Sequence, residues 1–454
     1  MSIDFLITNF KKNKAQDAIV WYDKSYSYGW LLNNILLWDD ILVKNKIKPG
    51  SVVVVRADFS PRSTALLFSL IKHRCIFIPI TNSVNVNISE ITKISQSEFE
   101  IIIDDNDDIK ITKLNNIPDH KLYYQLKKSK MPGLVLFSSG STGKSKASLH
   151  DITSILDKFK IPRHRYRAIT FLLYDHIGGI NTLFYILSNG GTIVTVQNRT
   201  PSNVLETIEK YKVELLPTSP TFINLILISE EYKNFNLSTL KIITYGTEPM
   251  LKNTLDTFNK IFPDIKLLQT YGLSEVGILR SKSKSSNSLW MKIGGEGFET
   301  RVVDDMLEIK AKSAMLGYLN APSPFTKDGW FRTGDQVVTD GDYFKILGRN
   351  SEIINVGGEK VYPQVVENII SQFDFINDVE VYKEKNPIIG NIVCAKVHTD
   401  KSLNDQDAII QIKKHCSKFL KRHEIPMKIK IVKKLEYSKR FKKIRSRIVN
   451  ESND

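Results

Sequence analysis

The run Ser51–Ile80 constrains the fold more than any other stretch of this chain. Ser51–Val55 is a β-branched apolar block, Pro61–Ile71 has the spacing of a helix entered through proline, and Cys75–Ile80 is a second apolar block. That is the rhythm of a parallel βαβ unit. Thr192–Val196, Val204–Lys210, Val213–Pro217, Thr221–Ser229, Leu240–Thr244 and Leu251–Ile261 repeat it. The expected fold class is therefore α/β, with a large multi-layer N-terminal domain over residues 1–348. Beyond Gly348 the pattern changes to a small α+β C-terminal domain, 349–454. Helices are expected there near Pro363–Ser371 and Asp405–Arg422, and strands near Val379–Lys383 and Ile392–Val397.

A chain of 454 residues, 42% hydrophobic and 25% charged, can bury a large core and divide into domains. It has no secretory signal at Met1–Lys14 and no uncharged apolar run of about 18 residues, so a cytoplasmic location is expected. Three widely spaced cysteines, Cys75, Cys394 and Cys416, speak against a disulfide framework or a cysteine metal site. The net charge of +15 is concentrated: residues 411–450 hold 15 Lys/Arg against Glu424 and Glu436, and elsewhere the charges nearly cancel. Such a segment suits phosphorylated cofactors, an anionic membrane, an acidic protein or plain solvation. With only Phe419, Tyr437 and Phe441 interleaved, it does not form a base-stacking surface, and a nucleic-acid partner is not expected.

The chemistry begins at Leu134–His150, LVLFSSGSTGKSKASLH, where four apolar residues run into a loop nearly free of bulky side chains. Gly140 and Gly143 let successive N–H groups converge on an anion, Ser138, Ser139, Ser141 and Thr142 add hydroxyls, and Lys144 and Lys146 add charge. This is a phosphate cradle. Gly143-Lys144-Ser145 supplies half of the NTPase motif G-x-x-x-x-G-K-[ST], but its first glycine falls on Ser138, which weakens that reading. Downstream, Gln269–Glu275 puts Tyr271 beside Gly272, with a carboxylate four residues on that can hold Mg²⁺. Asp335 in GWFRTGD and Arg349 after the next strand carry groups suited to ribose hydroxyls and phosphate.

These motifs together resemble the adenylate-forming superfamily of acyl-CoA synthetases, nonribosomal adenylation domains and luciferases. The loop resembles its SSGSTGxPKG, with Ser145 for Pro and Ala147 for Gly; YGLSE resembles YGxTE; and the order GWFRTGD, strand, GR, EIINVGGEKVYP matches from Gly329 through Pro363. The resemblance runs from Tyr28 to Ile444. It implies that Ser138–Lys146 holds phosphates, that Tyr271 stacks on adenine with Gly246, Thr247 and Glu248 on the opposite face, and that Ser274 contacts phosphate. It further implies that Glu275 carries Mg²⁺, that Asp335 and Arg349 take the ribose, and that the small domain is mobile, rotating about Glu352. Gly357 and Gly358 would let a pantetheine arm pass.

His176-Ile177-Gly178-Gly179 resembles the HxGG that lines the carboxylate pocket; Asp175 beside it could pair with a substrate ammonium or cap a turn. Relatives end in LPxTxxGKIxR, whose lysine enters the site. Here Leu435–Arg445 reads LEYSKRFKKIR. An ungapped count selects Lys442 and puts Phe441 on the Gly, while anchoring on Lys-Ile selects Lys443, the preferred candidate, with Lys439 a third.

The expected activity is ATP- and Mg²⁺-dependent conversion of a carboxylic acid to an acyl-adenylate with release of pyrophosphate, then transfer to CoA or to the phosphopantetheine of an acidic acyl carrier protein docked on the basic 411–450 segment. The alternatives are a stand-alone amino-acid or aryl-acid adenylating enzyme, or an idle relative with a basic binding tail.

Overall fold

A computed structural model describes residues 3–84, 86–139, 145–400 and 403–444. Two seven-stranded sheets form the large part. In one, Gly133–Ser139, Ile76–Ile80, Val52–Arg56 and Phe99–Ile103 run parallel, with antiparallel strands added at both edges. In the other, Lys266–Gln269, Ile242–Tyr245, Leu215–Thr218, Arg167–Ile169, Thr192–Val194 and Asp17–Trp21 are parallel. Val52, Val53, Val54 and Val55 have no exposed surface, because a strand covered on both faces needs apolar residues at every position rather than at alternate ones. The adjoining helix Pro61–Lys72 starts where Ser60 and Ser63 cap each other reciprocally and proline takes the first turn. The chain is thus the α/β protein its apolar blocks predict.

A six-stranded antiparallel sheet spanning Ser281–Arg349 follows, for which the sequence offered no strong signal. Its outer strand Phe298–Val303, FETRVV, is half-buried to exposed throughout and lacks a clean two-residue alternation. The last part has its own core, in which Ile354, Val366, Ile370, Val379, Val381, Val397 and Ile412 pack with Leu251 from the large part. It contains three strands, Ile376–Asn386, Gly390–Thr399 and Lys428–Val432, and the helices Pro363–Ile370 and Asp405–Phe419. Cys75, Cys394 and Cys416 are buried free thiols. Among the described residues no helix is long and apolar enough to cross a membrane.

One close approach fixes the wall of the site. The helix Ile177–Ser188 lies so near the preceding loop that a Cβ on Gly179 would sit 2.1 Å from the Leu173 carbonyl oxygen and 2.8 Å from that of Leu172. Both obstacles are backbone, which cannot rotate away. Gly179→Ala is therefore expected to destabilise the protein by about 1–3 kcal/mol or more, read as a lower denaturation midpoint.

Candidate active site

A cavity of about 820 Å³ opens at the meeting of the two seven-stranded sheets, and the C-terminal segment closes it with Arg440 and Lys442. Ser138, Ser145 and Lys146 stand on its wall, and the Lys146 ammonium lies 5.3 Å from the centre of the Tyr318 ring. Gly140, Ser141, Thr142 and Gly143, with Lys144, lie outside the described residues. Their flanks are nonetheless informative: Gly133–Ser139 pairs antiparallel with Ser145–Asp151, and Ser139 faces Ser145. The loop thus joins two strands of a hairpin, whereas the NTPase loop leads from a strand into a helix, so the NTPase reading is excluded.

Glu275 and Ser274 are on the same wall. One Glu275 carboxylate oxygen accepts from the Tyr318 hydroxyl at 2.7 Å, and the other has no protein partner among the described residues. No cluster of three metal-ligating side chains exists among the described residues. A single carboxylate facing a phosphate site still fits Mg²⁺, which keeps waters and takes its remaining ligands from substrate phosphates. Beside it Tyr271 is buried, and its hydroxyl donates to Asp335 at 2.5 Å; Arg349 Nε reaches the other Asp335 oxygen at 3.2 Å. Burial pushes the Asp335 carboxyl upward in pKa, against the opposing pull of Arg349 and Tyr271. Gly272 and Arg349 reach the cavity directly.

Gly246 and Thr247 also line the cavity, and Thr247 holds φ at +75°, a strained angle for a β-branched residue. Glu248 departs from its expected place on the adenine side. Its carboxylate accepts from the backbone N–H of Thr221 at 2.9 Å and of Lys443 at 3.4 Å, stitching the helix Pro220–Ser229 to the C-terminal segment. Burial raises its pKa.

Asp175, His176, Ile177 and Gly178 form the opposite wall. His176 caps the helix Ile177–Ser188: its Nδ1 accepts from the Gly178 N–H at 3.0 Å. Burial, together with the charges of Lys442 and Arg440, lowers its pKa to about 3. The ring is therefore neutral at pH 7 with its proton on Nε2, a donor for a carboxylate oxygen. Asp175 does not await an ammonium in this arrangement. Arg440 Nη1 and Nη2 grip its two oxygens at 2.9 and 2.7 Å, a bidentate pair whose carboxylate is only 7% exposed.

That pair belongs to a hairpin at residues 437–443, closed by the Tyr437–Lys443 bridge and by Ser438 N–H donating to the Lys442 carbonyl at 2.9 Å. Phe441 turns the corner at φ +52° and wedges its ring between Phe171 and Phe222, with centroids 5.2 and 5.1 Å away. The turn sends neighbouring lysines apart. Lys442 enters the cavity, where burial lowers its pKa. Lys443, preferred on the Lys-Ile anchor, faces the small domain instead and pairs with Asp378 at 2.8 Å and the Val379 carbonyl at 2.7 Å. Lys439 is exposed. The preference for Lys443 is thus corrected by geometry: Asp378 already holds its charge.

Gly357 and Gly358 lie outside the cavity wall, at the tip of the hairpin Ile354–Val356 / Glu359–Val361. Their φ values, +59° and +93°, are those of a type I′ turn, so the turn alone requires glycine. Glu352 lies in a short 3₁₀ turn between the strand Tyr343–Arg349 of the large part and that hairpin.

The family model described as AMP-binding enzyme matches residues 7–314. The chain is 25% identical over 356 residues to 4-coumarate–CoA ligase-like 6 of Arabidopsis thaliana, covering 70% of this chain and 62% of that protein. It is 26% identical over 294 residues to indoleacetate–CoA ligase of Aromatoleum aromaticum, covering 59% and 57%. The chain therefore spans about three-fifths of the length of these curated relatives. Among solved structures, the anthranilate CoA ligase AuaEII in complex with anthranoyl-AMP superposes with a TM-score of 0.81 at 18% identity, covering 97% of this chain and 95% of the other. ATP-bound MatB of Rhodopseudomonas palustris gives 0.79 at 18% identity, covering 97% of each. At these identities the likeness concerns the fold.

Proposed function

Because the chain belongs to the AMP-binding enzyme family, we propose that it joins a carboxylic acid to AMP at the expense of ATP, releasing pyrophosphate, and passes the acyl group to a thiol, CoA first among them. The observation that carries this reading is the convergence of Ser138, Lys146, Glu275, His176 and Lys442 on one cavity. A carboxylate is a poor electrophile because its charge is delocalised, and AMP turns the departing oxide into a phosphate ester.

Each residue has a part. The hydroxyls and backbone of residues 138–146 hold the β- and γ-phosphates, while Glu275, steadied by Tyr318, and the phosphates would hold Mg²⁺. When bound, that ion neutralises charge developing on pyrophosphate. The neutral His176 donates Nε2–H to the acid and orients it, and Lys442 lies between carboxylate and α-phosphate, where charge accumulates during in-line attack. Asp335 and Arg349 take the ribose and Tyr271 and Thr247 flank the base. A rotation about Glu352 then withdraws the 437–443 hairpin and presents Gly357 and Gly358 to the vacated side, so a thiol reaches the acyl-adenylate. The basic 411–450 segment attracts the phosphates of CoA or an acidic carrier protein, and a cytoplasmic location belongs to the same reading.

The test is product analysis with ATP, Mg²⁺, CoA and a panel of fatty, aryl and amino acids. AMP and acyl-CoA in equal amounts support it. No AMP with any acid would favour an idle relative, and AMP without thioester would favour a stand-alone adenylating enzyme.

A further inference from the structure

In the cavity wall, beyond His176 along its helix, stands an arrangement that activation of the carboxylate does not use. Asn181 lies five residues along the helix Ile177–Ser188 and lines the cavity, as does Ile278. At 1.5 Å rise per residue, Asn181 is about 7.5 Å past His176 along the helix axis. From behind this wall Lys158 donates to Asn181 Oδ1 at 2.6 Å and to the Ile278 carbonyl at 2.7 Å.

In its charged form Lys158 can only donate, and its bond to Asn181 Oδ1 then sets which way the amide faces. The oxygen is turned to Lys158, and the NH₂ group has no protein partner among the described residues. The charge behind it is also unmatched. Lys158 makes no ion pair among the described residues, Arg163 and Arg280 add like charge, and Arg280 Nε is itself buried without a hydrogen-bond partner. Burial, reinforced by Arg163 and Arg280, lowers the Lys158 pKa to about 7. Long cationic side chains ordinarily bury their stems and keep their heads in water; this head is turned inward. A buried cation without a counter-charge is costly, and a ligand that supplies the anion removes the cost.

Resting on the adenylating reading above, we propose that the acyl end of the cavity selects acids carrying a second, distal carboxylate, with Asn181 donating to that group and Lys158 as the residue that positions Asn181 and supplies the field. The reacting carboxylate stays at His176 and Lys442 while the distal one ends at Asn181. The specificity lies in residues 158, 181 and 278, apart from the nucleotide contacts.

Acid-dependent pyrophosphate exchange with length-matched acids tests this: hexanoate, 6-hydroxyhexanoate and adipate; benzoate, 4-hydroxybenzoate and terephthalate. The dicarboxylate of one series at least is expected to exceed its plain partner about tenfold or more in kcat/KM. Asn181→Leu and Lys158→Met should each shrink that ratio through KM for the acid and leave KM for ATP in place. Two variants are used because Lys158→Met alters packing; a cooperative melt identifies those that fold. Plain or hydroxy acids matching or beating the dicarboxylates, or a ratio unmoved by Asn181→Leu, would overturn the inference and leave the adenylating reading standing. Silence with every acid would overturn that reading and this inference with it.

Discussion

Lys442→Ala is expected to lower acid-dependent pyrophosphate exchange by about 10²–10³-fold, the usual consequence of losing a preorganised charge at the reacting centre. Transfer from supplied acyl-adenylate to thiol should fall far less, since Lys442 acts before the hairpin withdraws. Lys443→Ala should behave differently. Its ammonium is buried against Asp378, whose side chain is 1% exposed and also accepts from the Tyr437 hydroxyl at 2.7 Å. Burial alone would lower the Lys443 pKa, but Asp378, Glu367 and Glu248 together outweigh it and the net direction is upward. Removing one partner of such a pair costs about 3–5 kcal/mol. Lys443→Ala should therefore appear first as a lower melting midpoint, with both half-reactions reduced together. If Lys443→Ala erased exchange selectively and Lys442→Ala did not, the two roles would have to be exchanged.

Arg440→Met should have the next largest effect. It strands the Asp175 carboxylate in a wall where it is only 7% exposed, and so weakens seating of the whole 437–443 hairpin, including Lys442. A loss of about 10–10²-fold in exchange is expected, from misplacement of the lysine rather than its removal. Asp175→Asn with Arg440→Met should cost less than the sum of the single changes, because neither charge is then left alone. Strict additivity in that cycle would mean that the ion pair does not seat the hairpin. Phe441 and the Ser219 hydroxyl, which donates to the Phe441 carbonyl at 2.7 Å, would then be the remaining anchors.

The parallel sheets were legible because their strands are buried on both faces, which makes Ser51–Val55 and Cys75–Ile80 continuous apolar blocks. The antiparallel sheet of residues 281–349 was not, since strands such as Phe298–Val303 show mixed polar and apolar residues to solvent. Among site residues, those on local motifs could be read from the chain: Ser138, Lys146, Glu275 and His176 reach one cavity. What required coordinates was pairing across long separations. Arg440 and Asp175 are 265 residues apart, and Lys443 is diverted by Asp378, which no motif includes. The ambiguity over the lysine arises because the ungapped count puts Phe441 on the Gly and Lys442 on the lysine, while the Lys-Ile pair points to Lys443. The Phe441 φ of +52° puts the backbone in a left-handed turn, with the phenyl ring anchored between Phe171 and Phe222. That conformation is one glycine adopts most readily, and it fits the ungapped register, which puts Phe441 on the Gly. Glu248 departs from the motif for a related reason: its sequence neighbours Gly246 and Thr247 line the cavity, but its own carboxylate is taken by two backbone N–H groups.

The central claim is that a carboxylate oxygen attacks the α-phosphate of ATP. It is tested most directly by supplying an accepted acid with ¹⁸O in both carboxylate positions, together with ATP, Mg²⁺ and CoA, and analysing the nucleotide by mass spectrometry. Attack forms an acyl C–O–P bridge, and thiolysis breaks its C–O bond. AMP should therefore carry one ¹⁸O per thioester formed, with none in pyrophosphate. Label in inorganic phosphate together with ADP, or AMP free of label, would contradict the account.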